Sequence, residues 1–142
     1  MRIGIIAEGR ADIAVIKAVV KAITGIDGSD MYAIRPKEIL DETDGEELKF
    51  SNWELVLQSC NNEQLLVPFF EAIDDEAILV VHIDTAERGE KNYDVHEPQR
   101  TGHPDWKKYS RELRNNVKIK IETLIPERHR DKVAYAIAIE ET

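Results

Sequence analysis

Acidic residues follow three separate apolar runs of the sequence. Glu8, Asp84 and Glu140 each come directly after a run that is rich in aliphatic and β-branched residues. Runs of this kind are typical of buried parallel strands. Because ligand crevices in parallel sheets form at the carboxyl ends of the strands, the three acids are expected to converge there. Two further acids accompany them, Asp12 one helical turn after Glu8 and Glu87 three residues after Asp84.

Carboxylates that converge in this way repel one another unless a cation compensates their charge. Mg²⁺ or Mn²⁺ prefers oxygen ligands, retains water molecules and is typically held by a few carboxylates together with a substrate phosphate. The pattern therefore indicates a divalent metal and phosphoryl transfer. In this interpretation Glu8 and Asp84 are catalytic, with Glu8 as a metal ligand or general acid/base and Asp84 as the leading metal ligand. The other metal ligands would be Asp12, Glu87 and Glu140.

The accessory residues also have simpler interpretations. Asp12 could serve only as the cap of the following helix, and Glu140 could be an ordinary charged residue close to Thr142. Arg10 and Arg88 flank the two acidic motifs and could contact phosphate. Glu87 and Arg88 could equally be solvated loop residues. The sequence leaves these alternatives open.

The charge of the chain is unevenly distributed. The formal net charge is −9, which argues against general binding of polyanions. Residues 100–132, however, hold ten Lys and Arg against five Asp and Glu, a local charge of +5. Such asymmetry is typical of a nucleic-acid-binding face on an acidic protein, and it is also compatible with a solvated helix surface. On the first interpretation DNA or RNA would contact Lys107, Lys108 and Arg111.

The elements that must position these residues alternate between strands and helices. Strands are predicted at 2–7, 31–35, 77–83 and 133–139. Helices are predicted from Asp12 to about Ile23, from Ser51 through Leu57, from Asn61 to Ile73, and from the capping residue Asp105 to before Pro126. The order indicates an α/β fold, a compact domain whose mostly parallel four-stranded sheet is flanked by helices. Residues 1–142 are expected to form a single domain, which could be a fragment of a longer chain. Polar residues 37–50 and 85–104 are predicted loops.

Apolar periodicity and residue type predict the core. The stripe of the first helix is Ile13, Ile16, Val20 and Ile23. Trp53 and Trp106, at two helix starts, are interpreted as core residues rather than as base-stacking platforms. The single cysteine, Cys60, fits a reducing cytoplasm and is interpreted as a half-buried helix residue rather than a nucleophile. No apolar stretch approaches the roughly 20 residues that span a bilayer, so no membrane partner is expected.

The acidic motifs resemble those of a known family. The segment at residues 5–12 reads Ile-Ile-Ala-Glu-Gly-Arg-Ala-Asp and is similar to the first motif of the Toprim domain. Toprim domains are shared by topoisomerases, bacterial primases, ribosomal-RNA maturation nucleases and OLD-type (overcoming lysogenization defect) nucleases. Asp84 after a hydrophobic strand matches the start of the second motif, Asp-x-Asp, in which Ala86 stands at the position of the second aspartate. A late strand ending in glutamate, as at Glu140, is similar to the OLD-type subgroup.

The resemblance implies a compact α/β sheet, Mg²⁺, and cleavage or transfer at nucleic-acid phosphodiesters. We therefore expect a Mg²⁺- or Mn²⁺-dependent nuclease. Because Ala86 cannot bind metal, Glu87 would have to supply the missing oxygen. The alternative is a catalytically degenerate Toprim-like module that binds a protein partner or forms a homo-oligomer, for example in a phage-defence assembly. A third alternative is a receiver-like signalling domain with Asp84 as phosphoacceptor. Such a domain would normally have a lysine after the last strand, and no lysine follows Val133.

Overall fold

Four β-strands lie side by side at the centre of the protein in a computed structural model that describes residues 1–37, 52–72, 76–98 and 106–139. The strands are β1 (Arg2–Ile6), β2 (Met31–Arg35), β3 (Ala77–Asp84) and β4 (Val133–Ala138). Every pair of neighbouring strands is parallel. The predicted α/β class and the four predicted strands are therefore confirmed. Glu140, the cap Asp105, residues 38–50 of the first predicted loop and residues 99–104 of the second lie outside the described residues.

The order of the strands in the sheet creates a crevice. It runs β2-β1-β3-β4, so the chain leaves β1 on one side to form β2 and returns on the other side to form β3. Ligand crevices of open parallel sheets form at the carboxyl ends of the strands where the order reverses in this way. Here that point lies between β1 and β3, which pair from Arg2↔Ala77 to Ile6↔Val81. The acids predicted at the ends of these two strands, Glu8 and Asp84, therefore meet at the crevice.

Helix α1 (Arg10–Thr24) follows β1 after a sharp change of direction at Gly9. Gly9 is the N-cap residue and makes no side-chain cap bond, whereas Asp12 lies inside the first turn. The interpretation of Asp12 as the helix cap is therefore wrong, because a cap residue must precede the first helical residue. Its carboxylate still lies favourably near the positive end of the helix dipole. The helix ends at Gly25, whose φ of 72° is a left-handed conformation that glycine adopts without strain.

Three further helices of the described residues cover the opposite face of the sheet. They are α2 (Asn52–Cys60), α3 (Glu63–Phe70) and α4 (Trp106–Leu124). Asn62 caps α3 by accepting a hydrogen bond from the N–H of Leu65 at 3.3 Å, and the helix continues through Pro68 for two more residues. The main core forms here, and its α4 contribution repeats every four residues at Tyr109, Leu113, Val117 and Ile121.

The smaller core lies between α1 and the sheet, where Ile13 and Ile16 are buried as predicted. Ile23, in contrast, is 78% exposed, so its prediction as a core residue is wrong. Ile23 stands in the last turn of α1, which ends at Thr24, and the smaller core extends along this helix only as far as Val20. Val15 and Val19 are also exposed, because among the described residues α1 is the one α-helix on this face of the sheet.

The two tryptophans have different environments. Trp53 is 6% exposed and packs on the ring of Tyr93 with centroids 5.3 Å apart, which confirms it as a core residue. Trp106 is 42% exposed at the start of α4, so its prediction as a core residue is wrong. Apolar periodicity could not reveal this, because a residue in the first turn of a helix can lie beyond the edge of the core even when it is in register with the buried stripe. Within the described residues no helix combines the length and apolar character needed to cross a bilayer.

Candidate metal centre

Three carboxylates converge at the crevice between β1 and β3. Glu8 lies two residues beyond the end of β1, Asp84 is the last residue of β3, and Glu87 lies in the turn that follows. One oxygen from each of them lies within 4.8 Å of the others. The backbone N–H of Asp84 donates a hydrogen bond to Glu8 Oε2 at 3.2 Å, which ties the two strand ends together. We call Glu8, Asp84 and Glu87 the acidic triad.

The turn after β3 explains how Glu87 reaches the triad. Asp84 Oδ1 accepts a hydrogen bond from the N–H of Ala86 at 2.9 Å, which folds the chain back on itself. The hydroxyl of Tyr93 donates a hydrogen bond to the carbonyl oxygen of Asp84 at 2.7 Å, which stabilises this turn. Ala86 is exposed while Glu87 is partly buried and lines the cavity. In this fold the acid that could accompany Asp84 therefore stands at position 87 rather than 86.

Burial and crowding change the proton affinity of Glu8. The pKa of Glu8 is raised from 4.5 to about 8, mainly because burial disfavours its charged form. A hydrogen bond with the Asp84 side chain and repulsion from Asp84 and Glu87 add to the shift, while the hydrogen bond from the Asp84 N–H opposes it. Near neutral pH the Glu8 carboxyl therefore keeps its proton. A bound cation would relieve the same repulsion between the carboxylates.

The triad opens into an acidic cavity of about 630 Å³. Six of its nine lining residues are acids, and none of the nine is Lys or Arg; the acids are Glu8, Asp12, Glu54, Asp84, Glu87 and Glu90. Sequence reasoning missed Glu54 and Glu90. Glu54 comes to the cavity because its neighbour Trp53 packs in the core at the start of α2, and no local signal in the sequence announces that packing.

Asp12 lies at the rim of the cavity and not in the triad. Its Oδ1 is 3.6 Å from Nε2 of His82, a residue that sequence reasoning did not single out. The other ring nitrogen of His82, Nδ1, is 2.7 Å from the carbonyl oxygen of Ala136. Since a carbonyl only accepts, Nδ1 carries the proton and Nε2 faces Asp12. The role of Asp12 as a metal ligand stays a prediction.

Arg35, at the end of β2, was also missed. Its side chain is buried, and Nη1 donates to the carbonyl oxygen of Ala7 at 2.7 Å and to that of Glu8 at 3.2 Å. The guanidinium therefore anchors the backbone from which Glu8 projects and places a fixed positive charge behind the acidic residues. Its position beside Pro36 on a short strand gave no sign of this function in the sequence.

The cations predicted to contact phosphate occupy different environments. Arg10 is exposed at the start of α1. Arg88 is turned away from the cavity, since it donates to the carbonyl oxygen of Thr85 at 2.8 Å, to Glu97 at 2.8 Å and to the Tyr109 hydroxyl at 3.2 Å. Its side chain is 11% exposed, so the geometry favours a structural role, in which Arg88 joins these residues, over a phosphate contact. The others are exposed on α4: Lys107, Lys108 and Arg111.

The donor set defines which cofactors would fit. All three ligand atoms of the triad are carboxylate oxygens, which suit Mg²⁺, Mn²⁺ or Ca²⁺ better than metals that prefer nitrogen or sulfur. Cys60, by contrast, is fully buried, and burial raises the pKa of its thiol to about 12, which is incompatible with a nucleophile. No protein-family model matches the chain, and no curated protein and no solved structure shows significant similarity to it.

Proposed function

We propose that this protein is a divalent-metal-dependent phosphoryl-transfer enzyme of Toprim type, and that it is a nuclease acting on DNA or RNA. The observation that carries the proposal is the convergence of Glu8, Asp84 and Glu87 at the strand-order reversal of a parallel sheet. The all-parallel α/β sheet is compatible with a Toprim domain. The motif at residues 5–12 supports the assignment, because its two acids lie on the crevice side of the fold.

The roles of the residues follow from their positions. Asp84 and Glu87 would hold the metal, since both project from the same turn and Asp84 is fixed by its bond to the Ala86 N–H. A Mg²⁺ or Mn²⁺ ion there would supply charge neutralisation for the phosphoryl oxygens. Glu8, with a pKa raised to about 8, could retain or release a proton close to neutral pH, as a general acid/base must.

Metal titration tests the proposal directly. Isothermal calorimetry with Mn²⁺ on the wild type, Glu8→Gln and Asp84→Asn should show one saturable site that is weakened at least about tenfold in both variants. Glu90→Gln is the matched control, because it removes one charge from the same cavity outside the triad. Loss of affinity in all three variants alike would indicate diffuse attraction by acidic residues and would contradict a specific site.

Activity is the second part of the test. Metal-dependent cleavage of labelled single-stranded DNA, duplex DNA and RNA should appear with the wild type and Glu90→Gln, and should vanish with Glu8→Gln and Asp84→Asn. Cleavage that persists at wild-type rates in both triad variants would come from a contaminant or another site. Specific metal binding without any cleavage would remove the nuclease proposal and leave a metal-binding module.

A degenerate Toprim-like module that binds a protein is the second candidate, and an apolar groove favours it. The groove lies between α1 and β4, encloses about 400 Å³ and is lined mainly by aliphatic residues, among them Val15, Val19, Ala134 and Ala136. Exposed apolar surface of this kind is typical of protein interfaces. Sedimentation velocity with Val19→Glu tests it: a wild-type assembly that dissociates in the variant supports the module, and a wild-type monomer that captures no partner contradicts it.

A further inference from the structure

The first two turns of α4 present an aromatic ring among cations. Trp106, which is 42% exposed, lines a shallow surface depression of about 470 Å³ together with Lys107, Ser110, Arg111 and Arg114. The cations stand four and three residues apart, so they lie along one face of the helix. We call Trp106, Lys107, Arg111 and Arg114 the Trp106 patch. None of its members belongs to the acidic triad.

The cations of this patch are available for an external anion. Two other cations of α4 are balanced within the helix: Lys108 lies 4.0 Å from Glu112 and Lys118 lies 3.8 Å from Glu122. Among the residues that the structure describes, no carboxylate lies within 4.0 Å of Lys107, Arg111 or Arg114. On a chain with a net charge of −9, a concentration of unbalanced positive charge marks a place where a polyanion can approach.

The patch and the acidic triad lie at the same edge of the sheet. Helix α4 leads from the region after β3 to the start of β4, so its first turn is at the carboxyl edge of the sheet, as a crossover between parallel strands requires. A chain of contacts joins the two places. Arg88, the residue after Glu87, donates to the hydroxyl of Tyr109, and the ring of Tyr109 packs edge-on against Trp106 with centroids 6.0 Å apart.

The exposed indole distinguishes between forms of nucleic acid. In a duplex both faces of each base are covered by neighbouring bases, so an aromatic side chain gains nothing by stacking unless the duplex is disrupted. A single strand has uncovered base faces, and stacking of one base on an aromatic side chain is typically worth a roughly 5- to 100-fold gain in affinity. Cations alone would attract both forms through their phosphates.

We infer that the Trp106 patch is a binding site for single-stranded nucleic acid. A base stacks on Trp106, and the flanking phosphates contact Lys107, Arg111 and Arg114. This inference rests on the proposed function in one respect: it names the substrate class of the proposed nuclease. Binding at the patch itself requires neither the metal nor cleavage. The site would lie at the same edge of the sheet as Glu8, Asp84 and Glu87.

Binding without metal tests the inference. Fluorescence anisotropy in EDTA, with the whole chain carrying Glu8→Gln, compares labelled dT12, U12 and a 12-base-pair duplex. Trp106→Ala should weaken binding of the single strands about tenfold and leave the duplex unchanged, whereas Trp106→Phe should stay within about threefold of wild type because it keeps an aromatic face. The dT12 and U12 arms show whether DNA or RNA is preferred.

The salt dependence of binding tests the role of the cations. Arg111→Ala should make the negative slope of log K against log salt for the single strand shallower by about 0.7. Lys21→Ala, which removes an exposed cation from α1 on the other face of the sheet, should leave that slope unchanged. Equal affinity for single strand and duplex, or an unchanged single-strand affinity in Trp106→Ala, would overturn the inference. Either result would contradict binding at the patch without bearing on metal-dependent cleavage. An absence of cleavage would contradict the nuclease proposal without bearing on binding in EDTA, so the two proposals can fail separately.

Discussion

Replacing Glu8 by Gln should stabilise the folded protein at alkaline pH. Glu8 is partly buried, and one of its oxygens accepts the N–H of Asp84 while its side chain also hydrogen-bonds to the Asp84 side chain. Glutamine has the same shape, offers an oxygen to accept and an N–H to donate, and carries no charge. The substitution therefore keeps both contacts and removes a charge that burial, and then repulsion from Asp84 and Glu87, disfavour.

The pH dependence follows from the direction of the pKa shift. Folding raises the pKa of Glu8 from 4.5 to about 8, so over this range the native state keeps a proton that the unfolded state has lost. The contribution of Glu8 to the free energy of unfolding is fully present below about pH 4.5 and is lost as the pH rises through about 8. Taken at face value the full loss is about 4–5 kcal/mol. Because the carboxyl opens on a solvated cavity, screening reduces it to about 1–2 kcal/mol.

Thermal unfolding in EDTA between pH 4.5 and 9 measures this effect. The melting temperatures of wild type and Glu8→Gln should agree near pH 4.5 and diverge to about 3–8 °C in favour of the variant near pH 9. Saturating Mn²⁺, at about 100 times its dissociation constant, should stabilise the wild type by about 2.7 kcal/mol and cancel the advantage. Glu90→Gln, whose carboxylate is exposed on the same cavity, is the control. Parallel curves for wild type and Glu8→Gln would refute the crowding of the triad.

Three further substitutions and one thiol reaction test the framework around the site. Arg88→Met should lower the free energy of unfolding by about 1–3 kcal/mol, because it leaves a partly buried ion pair broken, while the salt dependence of nucleic-acid binding stays as in wild type. Gly4→Ala should cost about 1–3 kcal/mol in urea denaturation, since the added carbon would lie 2.5 Å from an isoleucine and 2.8 Å from a phenylalanine atom. Gly28→Ala, with open space around it, should stay within about 0.5 kcal/mol of wild type. Cys60 should react with a thiol reagent only at the rate of unfolding, because it is fully buried.

The strands and the two principal acids could be predicted from the sequence because their signals are local. A buried parallel strand must be apolar on both faces, so its residues form a continuous run that ends where polar side chains are tolerated. All four strands were found within one residue of their observed ends. Right-handed crossovers then bring the carboxyl ends together, which is why Glu8 and Asp84 could be paired across 76 residues of sequence.

Contacts between distant elements decided the rest. Strand order placed β1 beside β3, and a turn held by Tyr93 brought Glu87, which from the sequence could equally have been a solvated loop residue, into the triad. Packing brought Glu54 and Arg35 to the same end of the molecule and left Trp106 exposed, although periodicity alone suggested a buried ring. Local patterns report how a residue relates to its own helix or strand. Which side chains face one cavity depends on how those elements pack, and that is a property of the whole fold.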